Sequence, residues 1–130
     1  MTEIKFIPKH IIIYFHEQLI GLYGGALGIR DEGLLDSALE KPRAMFEGAY
    51  LHDLLAKISA AYGFHICKNH PFIDGNKRVA LVAMDTFLQK NGNEISASEK
   101  DVYEVMVKLA SGKITKKEFI GWLEVNISEL

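Results

Sequence analysis

The chain has 130 residues, which suffices for one ordinary domain and is too short for two. Hydrophobic residues make up 48% and charged residues 25%, a balance typical of a packed core with a solvated exterior. The formal net charge is −2, so the sequence lacks the basic excess that a general nucleic-acid-binding surface needs. We therefore predict a single domain over residues 1–130 that makes no direct contact with nucleic acid.

Segment hydrophobicity and cysteine content indicate the compartment. No segment approaches the roughly 20 apolar residues that cross a bilayer, and residues 1–5 lack the apolar stretch of a signal peptide. The single cysteine, Cys67, has no internal disulfide partner, which fits a reducing environment. These features predict a cytoplasmic protein without a membrane partner.

Hydrophobic spacing and capping residues predict the elements of the first third of the chain. A short extended piece, residues 4–7, precedes a helix that begins near Pro8 and runs to about Tyr23. Glycines then form a loop. Asp31 can cap a second helix, which we expect to stop before Pro42 because proline disfavours helical conformation in the preceding residue.

Four more helices are predicted in the remainder. The third spans about residues 52–68, and the fourth runs from Asn76 to about Lys90 after a loop. Residues 79–84 of the fourth helix are almost wholly apolar, which places it at the centre of the fold. Ser98 can cap a fifth helix, and residues 115–118 match the capping box of a sixth. Strand signals are confined to short pieces near Ile4 and Ile95, so we predict an all-α, single compact bundle of about six helices.

The motif, residues 70–78, reads His-Pro-Phe-Ile-Asp-Gly-Asn-Lys-Arg and comprises a loop and the start of the fourth helix. Backbone N–H groups at a helix start are unpaired and partly positive, which suits a bound phosphate. Gly75 has no side chain to obstruct a ligand that approaches the backbone. Lys77 and Arg78 add cations where the helix dipole disfavours them, unless an anion is bound. We predict a phosphate-binding helix start formed by Gly75, Asn76, Lys77 and Arg78.

Two further side chains of the motif supply chemistry. Asp74, an anion beside a predicted anion site, is explained if a magnesium ion bridges it to phosphates. His70 can accept a proton near neutral pH and so deprotonate an attacking hydroxyl. Phe72 is expected to anchor the loop in the core. The pattern predicts phosphoryl or nucleotidyl transfer, with His70 and Asp74 as the catalytic residues.

The motif resembles the Fic/Doc family signature, His-Pro-Phe-x-Asp/Glu-Gly-Asn-Gly/Lys-Arg, at every position. Residues 23–25, 28–31 and 33–39 resemble the first third of the Doc (death-on-curing) branch, and residues 87–92 its later part. The resemblance implies a compact helical bundle with the motif loop between two central helices. It also implies ATP and Mg²⁺ as cofactors.

The motif match carries the family's residue roles onto this chain. It makes His70 the general base and Asp74 the carboxylate that holds magnesium or orients His70. Gly75 and Asn76 would form the anion-binding turn, and Arg78 would contact the nucleotide phosphates.

Two departures separate the chain from family members that transfer AMP. Those members usually have glycine in place of Lys77, and a second arginine where this chain has Leu81. Doc-like toxins, which phosphorylate elongation factor Tu and arrest translation, share both departures. Lys77 would fill part of the α- and β-phosphate cradle, and the missing arginine removes a contact to the far phosphates. The nucleotide can then present its γ-phosphate, which implies a protein serine/threonine phosphotransferase, with adenylyl transfer as the alternative.

Some family members restrain themselves through a helix with the pattern Ser/Thr-x-x-x-Glu-Gly/Asn. This chain lacks the pattern, because Arg43 stands four positions before Glu47-Gly48. We therefore expect a small antitoxin protein whose helix lies in an apolar groove. A rival hypothesis is a non-catalytic module that holds an antitoxin and regulates transcription with it, although the intact motif argues against a vestigial site.

Other polar side chains near the motif have less specific interpretations. Lys68 is a further candidate phosphate contact, but a lysine there is more often simply solvated. His65, Cys67 and His70 lie close together in sequence, yet they lack a fourth ligand at the spacing of a structural zinc site. Three further histidines have no motif context and are predicted to lie at the surface: His10, His16 and His52.

Overall fold

The computed structural model describes residues 3–45 and 50–130, so Glu47 and Gly48 lie outside the described residues. The elements in chain order are α1 Lys9–Tyr23, α2 Glu32–Arg43, α3 Leu51–Asn69, α4 Asn76–Lys90, β1 Asn93–Ile95, α5 Glu99–Ala110, α6 Lys116–Asn126 and β2 Ile127–Glu129. The predicted all-α bundle of about six helices is confirmed. That residues 1–130 form one domain stays a prediction.

Helices α3 and α4 form the centre of the bundle. Helix α3 packs against α2, α4 and α6, whereas α4 also contacts α1 and β1. The two helices bury large side chains that are almost fully inaccessible: Leu55, Ile58, Tyr62, Ile66, Val79, Met84, Phe87 and Leu88. Burial of each such side chain stabilises the fold by about 1.5–3 kcal/mol. The predicted central place of α4 is thus confirmed, and the loop that joins α3 to α4 rests on a rigid base.

The predicted helix starts agree with the capping geometry. The side chain of Asp31 accepts a hydrogen bond from the Leu34 N–H at 2.9 Å, and that of Ser98 accepts one from the Asp101 N–H at 3.1 Å. Thr115 and Glu118 form both halves of the predicted capping box. Each cap satisfies backbone donors that would otherwise be unpaired, which explains why these starts are predictable from sequence.

Helix α2 continues past the residue where we expected it to stop. Pro42 lies inside α2, which ends at Arg43. The restriction that proline imposes on the preceding residue is a tendency, and here the proline ring is buried in the last turn. Burial of the ring offsets the missing backbone donor, and the Ala44 N–H still reaches the carbonyl of Glu40 at 3.2 Å.

The strand prediction is right near Ile95 and wrong near Ile4. Strand β1 pairs in antiparallel register with β2, with Ile95 opposite Ile127. The segment near Ile4 is not part of a strand, and a side chain bonds its backbone groups where a neighbouring strand would otherwise do so. The Asn91 side chain accepts from the Lys5 N–H and donates to the Lys5 carbonyl, both at 2.9 Å.

None of the described helices is long and apolar enough to span a membrane.

Candidate active site

His70 follows directly after α3 in an uncommon backbone conformation. Its φ is +50° and its ψ is +54°, and no other non-glycine residue in the described ranges has a positive φ. The left-handed region is costly for residues with a Cβ, and such strain clusters at functional sites. The His70 N–H ends α3 by donating to the Ile66 carbonyl at 3.1 Å, and its side chain remains exposed.

The motif lines a cavity of about 490 Å³, which we call the pocket. Most of the predicted site residues meet there: His70, Asp74, Gly75, Asn76, Lys77 and Arg78. The end of α1 and the following loop add Tyr23, Gly24 and Gly25, and two further residues complete the lining, Cys67 and Ala110. Lys68 does not line the pocket, and its Nζ lies 5.7 Å from the ring centroid of Phe64. The structure therefore gives the proposed phosphate contact of Lys68 no support.

Helix α4 begins in the pocket without a side-chain cap. Gly75 is its N-cap residue, with φ at +76°, and the first helical hydrogen bond runs from the Val79 N–H to the Gly75 carbonyl at 3.0 Å. The N–H groups of Asn76, Lys77 and Arg78 thus precede the helical ladder and have no intrahelical acceptor. A side chain at position 75 would be strained and would place its Cβ 3.2 Å from Cδ1 of Ile20. The helix start is therefore open to an anion.

The side chain of Asn76 shapes the loop and is not free for a ligand. Its Oδ1 accepts from the Phe72 N–H and its Nδ2 donates to the Phe72 carbonyl, both at 2.9 Å. Asn76 is 5% exposed and Phe72 is fully buried. Only the backbone N–H of Asn76 is left for an anion, while the amide closes the motif loop onto the core.

The two cations of the motif lie over tyrosine rings. The guanidinium carbon of Arg78 is 5.3 Å from the Tyr23 ring centroid, and Nη1 donates to the Gly24 carbonyl at 3.4 Å. The Nζ of Lys77 is 5.6 Å from the Tyr103 ring centroid. Within residues 3–45 and 50–130 the salt bridges are those of Lys9 with Glu32 and with Asp36. Neither motif cation is neutralised by a carboxylate, so both can balance an anionic ligand.

The carboxylate of Asp74 is held at the pocket by backbone donors. Its Oδ1 accepts from the Gly75 N–H at 2.8 Å, and its Oδ2 accepts from the Ala26 N–H at 3.3 Å. A Cβ at Gly25 would lie 2.6 Å from Oδ2, so this approach requires glycine there. No described group of three or more His, Cys, Asp or Glu side chains could hold a metal ion. Magnesium at Asp74 would therefore take its other ligands from phosphate and water oxygens, which is its usual coordination.

His16 is a site residue that the sequence interpretation missed. The prediction that it lies at the surface is wrong, because the residue is 2% exposed. Its ring stacks on Phe72 with centroids 4.0 Å apart, and Nε2 lies 2.7 Å from the carbonyl oxygen of Asp74. A carbonyl can only accept, so Nε2 carries the proton. The i, i+4 spacing of Ile12, His16 and Ile20 on α1 was the available signal, whereas His10 and His52 are exposed as predicted.

Residues 28–31 lie against the motif loop as a short strap. Ile29 forms an isolated antiparallel bridge with Phe72. The Ile73 N–H donates to the Gly28 carbonyl at 3.0 Å, and a Cβ at Gly28 would approach Cδ1 of Ile73 to 3.0 Å. The strap thus holds the motif loop through backbone groups of a segment about forty residues earlier in the chain.

Comparison with known proteins identifies the family. Residues 6–88 match the sequence model described as the Fic/DOC family. The chain belongs to the Fic/Doc family. It is 41% identical over 75 residues to a protein named Toxin Doc from Mycolicibacterium smegmatis, a match that spans 58% of each protein. It is also 30% identical over 111 residues to Protein kinase doc of Escherichia phage P1, and this match covers 85% of this chain and 86% of the phage protein. The family and branch expected from the motif are confirmed.

The side chains that suggested zinc have other roles in this Fic/Doc chain. Burial raises the pKa of the Cys67 thiol to about 12, so the thiol stays protonated at neutral pH. Burial and the charge of Lys116 lower the pKa of His65 to about 4, and Nζ of Lys116 lies 2.9 Å from Nε2 of His65. Among the described residues, no group of three or more His, Cys, Asp or Glu side chains is placed to hold a metal ion, and this includes His65, Cys67 and His70.

Proposed function

We propose that this chain is a Doc-like toxin that transfers the γ-phosphate of ATP to a serine or threonine hydroxyl of a protein. Elongation factor Tu is the proposed acceptor, and arrested translation the result. The observation that carries the proposal is the shared pocket, in which the His70 imidazole and the uncapped start of α4 line one cavity. The names of the relatives, Toxin Doc and Protein kinase doc, support the same reaction.

Each part of the pocket has a task in this reaction. The phosphates of ATP would accept hydrogen bonds from the N–H groups at the start of α4, with Lys77 and Arg78 balancing their charge. Asp74 would hold Mg²⁺, which supplies charge neutralisation on the phosphate oxygens. His70 would take the proton of the acceptor hydroxyl as its oxygen attacks the γ-phosphorus, and ADP would leave.

The identity of residue 81, leucine in place of arginine, favours the kinase over adenylyl transfer. Leu81, where AMP-transferring members have a second arginine, lines a neighbouring groove and not the pocket. Lys77 lines both cavities, so its side chain borders the place where the α- and β-phosphates would lie in an AMP transferase. A nucleotide bound in the orientation opposite to that in an AMP transferase would place its γ-phosphate, and not its α-phosphate, near His70.

Label transfer from ATP tests the reaction directly. Purified protein with Mg²⁺ and ATP labelled at the γ position should label elongation factor Tu, and ATP labelled at the α position should not. The His70→Ala variant should lose about 10²–10⁴-fold in rate, because it lacks the general base. His10→Ala is the matched control, since His10 is an exposed histidine outside the pocket and should keep the parental rate.

Three results would contradict the proposal. Transfer of the α-label in place of the γ-label would establish the adenylyltransferase alternative. A His70→Ala variant as active as the parent would remove the general base from the mechanism. Titration calorimetry that gives no heat with Mg·ATP would favour the non-catalytic antitoxin-binding module.

The proposed toxin requires restraint, for which we propose a small antitoxin, and the groove beside the pocket suits it. The groove has a volume of about 680 Å³, lies along α4 and α5, and shares Lys77 and Arg78 with the pocket. Its apolar lining is formed by Leu81, Val82, Ile95, Val102 and Met106. An amphipathic antitoxin helix in this groove would cover both motif cations.

Because ATP and the proposed acceptor are cytoplasmic, the protein is proposed to act in the cytoplasm.

A further inference from the structure

Arg30, in the strap, donates to three consecutive carbonyls of the motif region. Its Nη2 donates to the Asn69 carbonyl at 2.9 Å, and its Nε donates to the His70 carbonyl at 2.7 Å. Its backbone N–H donates to the Pro71 carbonyl, also at 2.7 Å. One residue therefore holds both the end of α3 and the first part of the motif loop. In the sequence, Arg30 is distinguished only by its place within residues 28–31, which resemble the Doc branch.

The guanidinium lies where α3 most needs a donor. The last carbonyls of a helix lack intrahelical partners and carry partial negative charge, so a cation with N–H groups stabilises that end. In the described part of the chain Arg30 forms no salt bridge with a carboxylate. Its planar fork bonds two successive backbone carbonyls, a geometry that the single ammonium of lysine does not reproduce.

His70 is the residue with the strained backbone, and Arg30 bonds its carbonyl. Leaving the left-handed region would relieve strain at His70 and would redirect its Cα–Cβ bond, because that direction follows φ and ψ. The imidazole would then leave its place beside the start of α4. Two hydrogen bonds from the Arg30 side chain oppose this relaxation, since both carbonyls must stay side by side to accept them.

We infer that Arg30 is a positioning residue, which holds the backbone of His70 in its left-handed conformation and so keeps the imidazole in the pocket. The catalytic consequence rests on the proposed function. Arg30 does not line the pocket, so its effect should appear in the rate of the chemical step and not in nucleotide binding.

The decisive variants are Arg30→Ala and Arg30→Lys, with Arg43→Ala as the matched control. Arg43 is an exposed arginine at the end of α2 whose guanidinium stacks on Phe6, away from the pocket. Arg30→Ala should lower kcat by about 10²-fold, the scale of a misplacement of about 1 Å, with KM for ATP changed by less than about twofold. Arg30→Lys keeps the charge near the helix end but supplies no fork, so it should recover little of the loss.

Amide exchange supplies a readout that does not depend on activity. In Arg30→Ala the amides of His70 and Phe72 should exchange faster than in the parent, while Arg43→Ala should leave them unchanged. In the parent, the Nε proton of Arg30 should exchange more slowly than that of Arg43, because the former is bonded to the His70 carbonyl. This comparison needs no variant, so it stands even if Arg30→Ala fails to fold.

The inference is overturned by any of three results. They are a kcat for Arg30→Ala within about twofold of the parent, full activity in Arg30→Lys, and a freely exchanging Arg30 Nε proton. Full activity in Arg30→Lys would mean that charge alone suffices. A parent protein that transfers no phosphate would refute the proposed function, and the exchange of the Arg30 Nε proton would still decide whether Arg30 holds the loop.

Discussion

At the scale of single residues, the side chains to which we assign the proposed chemistry are held by others that do not line the pocket. His70 depends on Arg30, and the carbonyl of Asp74 depends on His16. Asn76 belongs to the motif but bonds only the backbone of Phe72 through its side chain. A position within the motif can therefore be structural, while a distant histidine or arginine determines the geometry of the site.

His65 should make the folded protein sensitive to mild acid. Its pKa falls from 6.5 to about 4 on folding, chiefly through burial, so the unfolded chain binds more protons between these values. The stability contributed by the neutral ring is complete above pH 6.5 and declines as the pH falls towards 4. We expect this group to lower the free energy of unfolding by about 2 kcal/mol between pH 7 and pH 5.

Urea unfolding of the parent and of His65→Gln at these pH values measures the effect. Glutamine retains an oxygen that can accept from Lys116 but does not titrate. The pH dependence of the variant should be smaller than that of the parent by about 2 kcal/mol between pH 7 and pH 5, with no difference in slope above pH 7. If the free energy of unfolding changed equally with pH in the parent and in His65→Gln between pH 5 and pH 7, His65 would not become harder to protonate on folding.

At the scale of elements, the close approach of α3 and α4 determines where the motif loop can lie. Gly63 of α3 faces α4, and a Cβ there would lie 2.2 Å from Sδ of Met84 and 3.2 Å from Cε2 of Phe119. Both of these side chains are fully buried, so they have little room to move. The helix that precedes His70 and the helix whose uncapped start lines the pocket are thus in direct contact because this position has no side chain.

Substitution of two helical glycines by alanine should have opposite effects. Gly63→Ala should lower the free energy of unfolding by about 1–3 kcal/mol, because overpacking outweighs the better helix propensity of alanine. Gly21→Ala on α1, where an added Cβ would meet nothing within 4 Å, should raise it by about 0.5–1 kcal/mol. Chemical denaturation of both variants tests this. A Gly63→Ala variant as stable as Gly21→Ala would mean that α3 and α4 can separate.

At the scale of the whole molecule, the pocket joins segments that are distant in sequence. The end of α1 and the loop after it supply Tyr23 and two glycines, α3 supplies Cys67, α5 supplies Ala110, and the motif supplies the rest. A ligand that binds this assembled pocket binds the folded state and not the unfolded chain. Nucleotide binding should therefore stabilise the entire fold.

Thermal unfolding with and without Mg·ATP measures this linkage. At a ligand concentration about 100 times Kd the gain is about 2.7 kcal/mol, which corresponds to a rise in Tm of roughly 10 °C for a domain of this size. His70→Ala should keep the shift, because the general base contributes to the reaction and not to phosphate binding. Arg78→Ala should lose most of it. An equal shift in Arg78→Ala and in the parent would place the nucleotide elsewhere.

The sequence alone was sufficient where the determining interactions are local. Caps at Asp31, Ser98 and Thr115 act within three residues, and the motif is contiguous, so helix starts, fold class, family and the grouping of residues 70–78 were all predictable. The roles of His70 and Asp74 in the reaction stay predictions. Burial of His16, the hold of Arg30 on His70, the exclusion of Lys68 from the pocket and the pairing of β1 with β2 depended on tertiary structure. Each of these joins or separates residues through packing between distant segments, which no local pattern specifies.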